Sequence, residues 1–235
     1  MKLFISLFVF FDVLIFQDIK GQEWPKVYGN NFDAYVEKVL EDYDRGILVC
    51  GSVLSNPNTL KYAWIIKTDI NGNEIWNKKF GDGIHQHVLS SVVKTSNEEL
   101  TISGSTTVED AYFDPQFYKL NACGEPEWCL IMHSTGYNFA EDIISVSDGY
   151  IGLLAYYGED QQYSRSSLVK MSSSGEPLWI QSLAQNDTII NNDEIDNLYL
   201  TNDQNYIVSG QCFHPGLQPI WIKTDTSGIQ MWDLF

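Results

Sequence analysis

The stretch Trp64–Gly81, WIIKTDINGNEIWNKKFG, is written almost a second time where the given sequence ends, as WIKTDTSGIQMWDLF over Trp221–Phe235. Two apolar runs of alternating character flank a polar turn in each, the pattern of a β-hairpin. Tryptophan carries the repetition through the rest of the chain. Trp24, Trp76, Trp128, Trp179 and Trp232 are separated by 52, 52, 51 and 53 residues. Gly72, Gly124, Gly175 and Gly228 precede the last four tryptophans by four residues, and Lys67, Lys119, Lys170 and Lys223 precede them by nine. Three residue types held in step four times define an internal repeat.

The upstream halves of the repeats agree as well. GILVCGS (46–52), ELTISGS (99–105), YIGLLAY (150–156) and NYIVSGQ (205–211) are short β-rich runs that follow polar turns, and AYVEKVL, HVLSSVV, EDIISVS and EIDNLYL precede them. Each repeat thus offers four short strands separated by Gly, Asn, Asp and Ser turns. A four-stranded unit of this size cannot bury both faces alone, whereas radial stacking of identical units covers them and leaves only short edges. The expected fold class is all-β: a β-propeller of four-stranded antiparallel blades, with four complete repeats plus an extra N-terminal strand at Trp24, as a complete or an incomplete propeller. A linear β-solenoid or a sandwich array is the competing arrangement. The Trp24 strand leaves one outer strand too many for simple closure at four blades. The sequence therefore reads either as part of a longer array or as a small ring or open arc with an added edge.

The chain has 235 residues, 44% of them hydrophobic, and a formal charge of −17. Such a charge repels phosphate backbones and anionic lipid, so nucleic acid is not an expected partner. Lys2 followed by the apolar run Leu3–Phe16 and the small residue Gly21 has the layout of a secretory signal peptide. The expected organisation is a signal peptide over 1–21 and a repeat domain over 22–235, with repeats at about 30–81, 82–133, 134–184 and 185–235. No membrane span is expected once the signal is cleaved, and the mature protein is expected to be secreted or at the cell surface.

If Asn71-Gly72 forms a two-residue type I′ turn, Lys67 lies opposite Trp76, and the same register pairs Lys119 with Trp128, Lys170 with Trp179 and Lys223 with Trp232. The lysine stem would then cover the indole as a structural element, with a cation–π attraction. A three-residue loop with a glycine bulge would shift that register by one.

The repeat resembles those of secreted Bacteroidetes-type β-propeller proteins, through QEWPKVYG (22–29), GILVCGS (46–52) and WIIKTDINGNEIWNKKFG (64–81). The resemblance implies a secreted or surface protein, often carrying a C-terminal type IX sorting domain, of which this sequence shows no sign. The third repeat departs from the pattern, with Ala155 where the others have Gly51, Gly104 and Gly210, and Ser167 near the usual aromatic.

Residues that could carry chemistry are few. His85 and His87 would share one face of a strand beside Asp82, and His133 or His214 would have to complete a metal site. Asn31/Asp33, Glu141/Asp142 and Asp193/Glu194/Asp196 recur at the start of the first strand of a repeat, as solvated loops or as oxygen ligands for Ca²⁺. Asn186-Asp187-Thr188 fits a glycosylation acceptor, and Tyr112, Phe113, Tyr156, Tyr157 and Tyr163 could decorate a binding face. Cys50, Cys123, Cys129 and Cys212 are too few for a disulfide scaffold, and Cys50 could reach Cys212 only if the first and fourth repeats were neighbours. No nucleophile elbow, phosphate loop or dinucleotide fingerprint occurs. No catalytic residue, metal or cofactor is therefore assigned. The reading favours a non-enzymatic binding or adhesion module for glycan or extracellular protein; the alternative is an exported propeller-type hydrolase or lyase acting on polysaccharide, which requires convergent acids in one central pocket.

Overall fold

The structure is a computed structural model and describes residues 25–29, 33–54, 60–95, 98–108, 112–157, 164–183, 194–213 and 216–234. The described residues contain strands and no helix. The sixteen strands form four antiparallel sheets of four, taken in chain order. Sheet 1 holds β1 (Ala34–Glu41), β2 (Ile47–Leu54), β3 (Lys61–Thr68) and β4 (Glu74–Phe80). Sheet 2 holds β5 (His87–Lys94), β6 (Leu100–Thr107), β7 (Phe113–Leu120) and β8 (Pro126–Ile131). Sheet 3 holds β9 (Tyr137–Val146), β10 (Gly149–Tyr157), β11 (Ser164–Met171) and β12 (Pro177–Ser182). Sheet 4 holds β13 (Glu194–Leu200), β14 (Tyr206–Phe213), β15 (Leu217–Thr224) and β16 (Gln230–Leu234). This is the propeller-like arrangement of blades that the repeat implies.

Successive blades are joined by apolar cores. Leu48, Cys50 and Ile65 of sheet 1 pack with Leu89, Ile102 and Leu120 of sheet 2. Phe117 of sheet 2 meets Ile143, Leu154 and Val169 of sheet 3, and Leu153 and Leu168 of sheet 3 meet Leu198, Val208 and Ile222 of sheet 4. Among the described residues no such core joins sheet 4 to sheet 1, and no sheet closes on itself. Cys50 and Cys212 lie in different inter-sheet cores, and all four cysteines are free thiols.

The outer hairpins have the same build four times. Gly72 N–H donates to the Asp69 carbonyl, and Asp69 N–H to the Asn73 carbonyl. Only Gly72 of the loop has positive φ (72°). Of the two turns open at Asn71-Gly72, this is the three-residue loop with a glycine bulge and not the type I′ turn, because Asn71 keeps negative φ. The Asp69 carboxylate accepts the N–H groups of Asn71 and Asn73, and Asn121 and Asp225 do the same in their own turns. A second register shift beside Lys67 restores the pairing, so Lys67, Lys119, Lys170 and Lys223 do face Trp76, Trp128, Trp179 and Trp232. Their ammonium groups bond to acids of their own blade: Asp42 and Asp44, Glu99 and Glu127, Asp148, and Asp203.

In sheets 2, 3 and 4 the turn glycine sits on the tryptophan of the blade before it. A Cβ on Gly124 would lie 3.4 Å from the Trp76 ring, one on Gly175 2.6 Å from Trp128, and one on Gly228 2.9 Å from Trp179. Trp232 faces no further described turn and is 43% exposed. At the other end, Trp24 and the expected signal segment lie outside the described residues. Pro25–Gly29 form no ladder strand; they lie across the face of sheet 1, where Tyr28 packs on Trp64 and Ile66 and its hydroxyl donates to the Gly72 carbonyl (2.6 Å). Of the expected N-terminal strand, the described residues 25–29 form no ladder and rest on a face of sheet 1.

Gly175→Ala should lower the unfolding free energy by about 2–4 kcal/mol, since it combines a left-handed backbone with a side chain driven into the Trp128 ring. Gly216→Ala, at φ 115° with nothing within 4 Å, should cost only about 1–2 kcal/mol. Urea unfolding of the two variants beside the wild-type chain measures the difference.

Candidate functional site

The first strand of each blade is interrupted at one equivalent place. β1 skips Glu37 in its pairing with β2, β5 skips Ser90, β9 skips Glu141 and β13 skips Asp196. Each skipped residue is the extra member of a β-bulge, which breaks the ladder and re-aims the side chain. The next residues are Lys38, Ser91, Asp142 and Asn197. All eight line one central cavity of about 550 Å³, together with Tyr35, Ser52, Lys61, Val88 and Leu89. Opposite the bulge, sheets 1, 2 and 4 carry Gly51, Gly104 and Gly210. A Cβ at any of them would lie 1.9–2.1 Å from the carbonyl oxygen of Tyr35, Val88 or Glu194 respectively. In sheet 3 the residue across from the bulge is Leu154, paired with Ala140, so Ala155 is not the counterpart of those glycines.

Charge is concentrated in this cavity. Asp142 is buried; its Oδ1 accepts the N–H of Ile143 and its Oδ2 that of Leu198 from sheet 4, both at 2.9 Å. Lys38 of sheet 1 reaches across the centre to Asp142, with Nζ 3.8 Å from Oδ1. Burial first, and then the charges of Asp196, Glu37, Asp142 and Glu194, push the Glu141 carboxyl up to about 7. Asp196 is also raised, by burial and then by Glu194. The site therefore holds protonatable carboxyls beside an aspartate anchored by backbone N–H groups.

Aromatic rings stand two residues earlier on the same strands. Tyr35 and Phe139 occupy equivalent positions, each two before the bulged acid. Lys61 lies over the Tyr35 ring, 5.0 Å from its centroid. Phe139 stacks on Phe113 at 5.4 Å and meets Tyr157 edge-on at 5.8 Å, and Tyr112 meets Tyr137 at 5.0 Å. Burial, followed by the charges of Glu141, Glu194 and Asp196, raises the Tyr157 phenol to about 12, which ties this ladder electrically to the acids.

The structure divides the residues read from the sequence. Glu141, Asp142 and Asp196 lie on strands that line the cavity and are not solvated loop residues, while Asp33 accepts the N–H of Leu54 through its carbonyl, away from the centre. Tyr112, Phe113 and Tyr157 fall in the aromatic ladder; Asn31, Tyr163, Asn186, Asp187, Thr188, Asp193 and His214 lie outside the described residues. His85 precedes β5, so the two histidines do not share a strand face. Both turn to Asp82, His85 Nδ1 at 2.5 Å and His87 Nε2 at 3.7 Å. The His85 backbone N–H, then its ring, then the Ile84 N–H hold the Asp82 carboxyl well below the usual range. His133 is paired with the buried Asp114. Among the described residues no three His, Cys, Asp or Glu side chains are grouped to hold a metal ion. Glu37 and the bulge itself were missed. The available signal was a polar pair at each first strand, Glu37-Lys38, Ser90-Ser91, Glu141-Asp142 and Asp196-Asn197, recurring at the repeat period. Compared with protein-family models and with curated protein sequences, the chain matches none.

Glu141 links the site to stability. Its carboxyl titrates in the folded chain at about 7, above its ordinary value of 4.5, so the fold binds that proton more tightly than the unfolded chain does. The folded state should lose stability as pH rises from about 4.5 through 7, by an amount on the order of 2–3 kcal/mol. Glu141→Gln should remove this loss and be the more stable chain at pH 8, with little difference at pH 4. Unfolding midpoints across that range check the sign.

Proposed function

We propose that the protein is a secreted or cell-surface binding module that takes a glycan in the central cavity. The single observation that carries this reading is the convergence of four bulges on one cavity lined by carboxyl, amide, hydroxyl and ammonium groups, with aromatic rings beside it. Hydroxyl-rich rings need flat apolar faces to stack on and carboxylates or amides to accept their O–H groups. The acid excess favours neutral or amino-bearing sugars over sulfated or uronic ones. A basic segment of an extracellular protein answers the same charge pattern, and the likeness of the repeat to secreted propeller proteins agrees with an extracellular setting.

One observation favours a second reading, an exported hydrolase or lyase acting on polysaccharide. Glu141, its carboxyl held near 7, stands in the same cavity as Asp142, whose oxygens accept backbone N–H groups, and glycosidic cleavage uses two carboxyls in one site. The two readings separate in one experiment. Under the first, titration calorimetry with neutral oligosaccharides gives binding that Asp196→Asn with Glu37→Gln weakens at least ~10-fold, a loss of about 1.4 kcal/mol or more, and no reducing ends are released. Release of reducing ends by the wild-type chain, lost at least ~100-fold in Glu141→Gln, would transfer the assignment to the second.

A further inference from the structure

The two ends of the blade series are unlike the three junctions inside it, and each end is one half of such a junction. In sheet 1 the rows Leu40–Leu48–Lys67–Trp76 and Lys38–Cys50–Ile65–Lys78 run across the face that packs on sheet 2. Their counterparts in sheet 4 are Tyr199–Ile207–Lys223–Trp232 and Asn197–Ser209–Trp221–Leu234. Here Tyr199, Trp221, Trp232 and Leu234 are exposed. Neither row contains a carboxylate, in a chain of net charge −17.

The opposite face of sheet 1 is the complementary half. Val39, in the row Val39–Val49–Ile66, is 56% exposed, whereas its counterparts Val92, Ile143 and Leu198 are 3%, 2% and 2% exposed because a preceding blade covers them. Among the described residues, Pro25–Gly29 cover the outer part of this face. That segment makes the contacts of an outer strand belonging to a preceding blade. Lys26 donates to Asn73 as Lys78 does to Glu125, and Tyr28 packs on Ile66 as Phe80 packs against Tyr118, each residue displaced by 52. Trp64 beneath it is 3% exposed.

We infer that a second copy of the chain joins the first head to tail, sheet 4 of one copy packing on sheet 1 of the next. The junction is the one the molecule already makes three times, continued between copies. β16 of the first copy takes the place of Pro25–Gly29 on the second, and Trp232 seats on Gly72 as Trp76 seats on Gly124. The Tyr28 hydroxyl, which holds the Gly72 carbonyl, is released in the exchange. The N-terminal segment is therefore a competing cover that keeps association weak. The contact is heterologous, so it extends beyond a dimer unless one end is blocked.

Sedimentation velocity of the full mature chain from about 1 µM to about 1 mM tests this. The wild-type mass should rise with concentration, and Tyr28→Ala should move the onset at least ~10-fold lower. Trp232→Lys blocks one end and Val39→Lys the other. Each alone should stay monomeric, and an equimolar mixture should give a dimer and nothing larger. A wild-type chain that remains monomeric throughout overturns the inference, whatever the variants do. So does a Val39→Lys chain that still dimerises, because sheet 4 would then be pairing with itself.

Discussion

The contact between a turn glycine of one blade and the tryptophan of the blade before it is the constraint on which the arrangement rests. It forces glycine at Gly175 and Gly228, where a Cβ would press on an indole ring, while at Gly124 the positive φ makes the demand. It also explains why the tryptophans keep a spacing close to 52 through loops of differing length. The hairpin must present glycine and tryptophan on opposite flanks of one sheet at a fixed separation. The compensating bulge beside each lysine does this by returning the strand to register after a three-residue loop. The lysine opposite the tryptophan then bonds to an acid from the turn between the first two strands. The two turns of a blade are thereby tied at its exposed end, where few apolar contacts are available.

A second irregularity, repeated as strictly, produces the site. An unbroken first strand would alternate its side chains between the two neighbouring blades and aim none at the centre. The extra residue in β1, β5, β9 and β13 breaks that alternation. It places Glu37, Ser90, Glu141 and Asp196 around one cavity. In sheets 1, 2 and 4 a carbonyl oxygen fills the space a Cβ would take on the facing residue, and that residue is glycine; sheet 3 makes its bulge opposite Leu154.

The repeat was legible because it is written in residue identity: Trp, Gly and Lys recur at fixed offsets, and their strands follow by alternation. The lysine–tryptophan register was reached through a turn type the chain does not use. Asp, Asn or Ser at the first position of the loop and glycine at the fourth was the signal for the turn that does form. The cavity was harder to read because a bulge changes which way a side chain points without changing composition. Glu141, Asp142 and Asp196 stood out as acids, yet strand register, which decides whether they face water or each other, is a long-range property of the sheet. The alignment of Ala155 with the glycines failed for the same reason: it compared letters where the equivalence is defined by the position of the bulge.

The acids at the centre are not required by the architecture, and sheet 2 demonstrates this within the same molecule. It builds the same bulge at the same place with Ser90 and Ser91. Glu37, Glu141 and Asp196 could have been serine without loss of register, and the fold would then avoid holding several carboxyls together in a partly buried space. Burial and mutual repulsion raise the proton affinity of Glu141 and Asp196 instead, so the chain forgoes stability at neutral pH. The inter-blade cores around Leu48, Phe117 and Leu153 supply apolar burial against which that loss is small. Residues that oppose folding, kept where all four blades line one cavity, are what the proposed binding role accounts for.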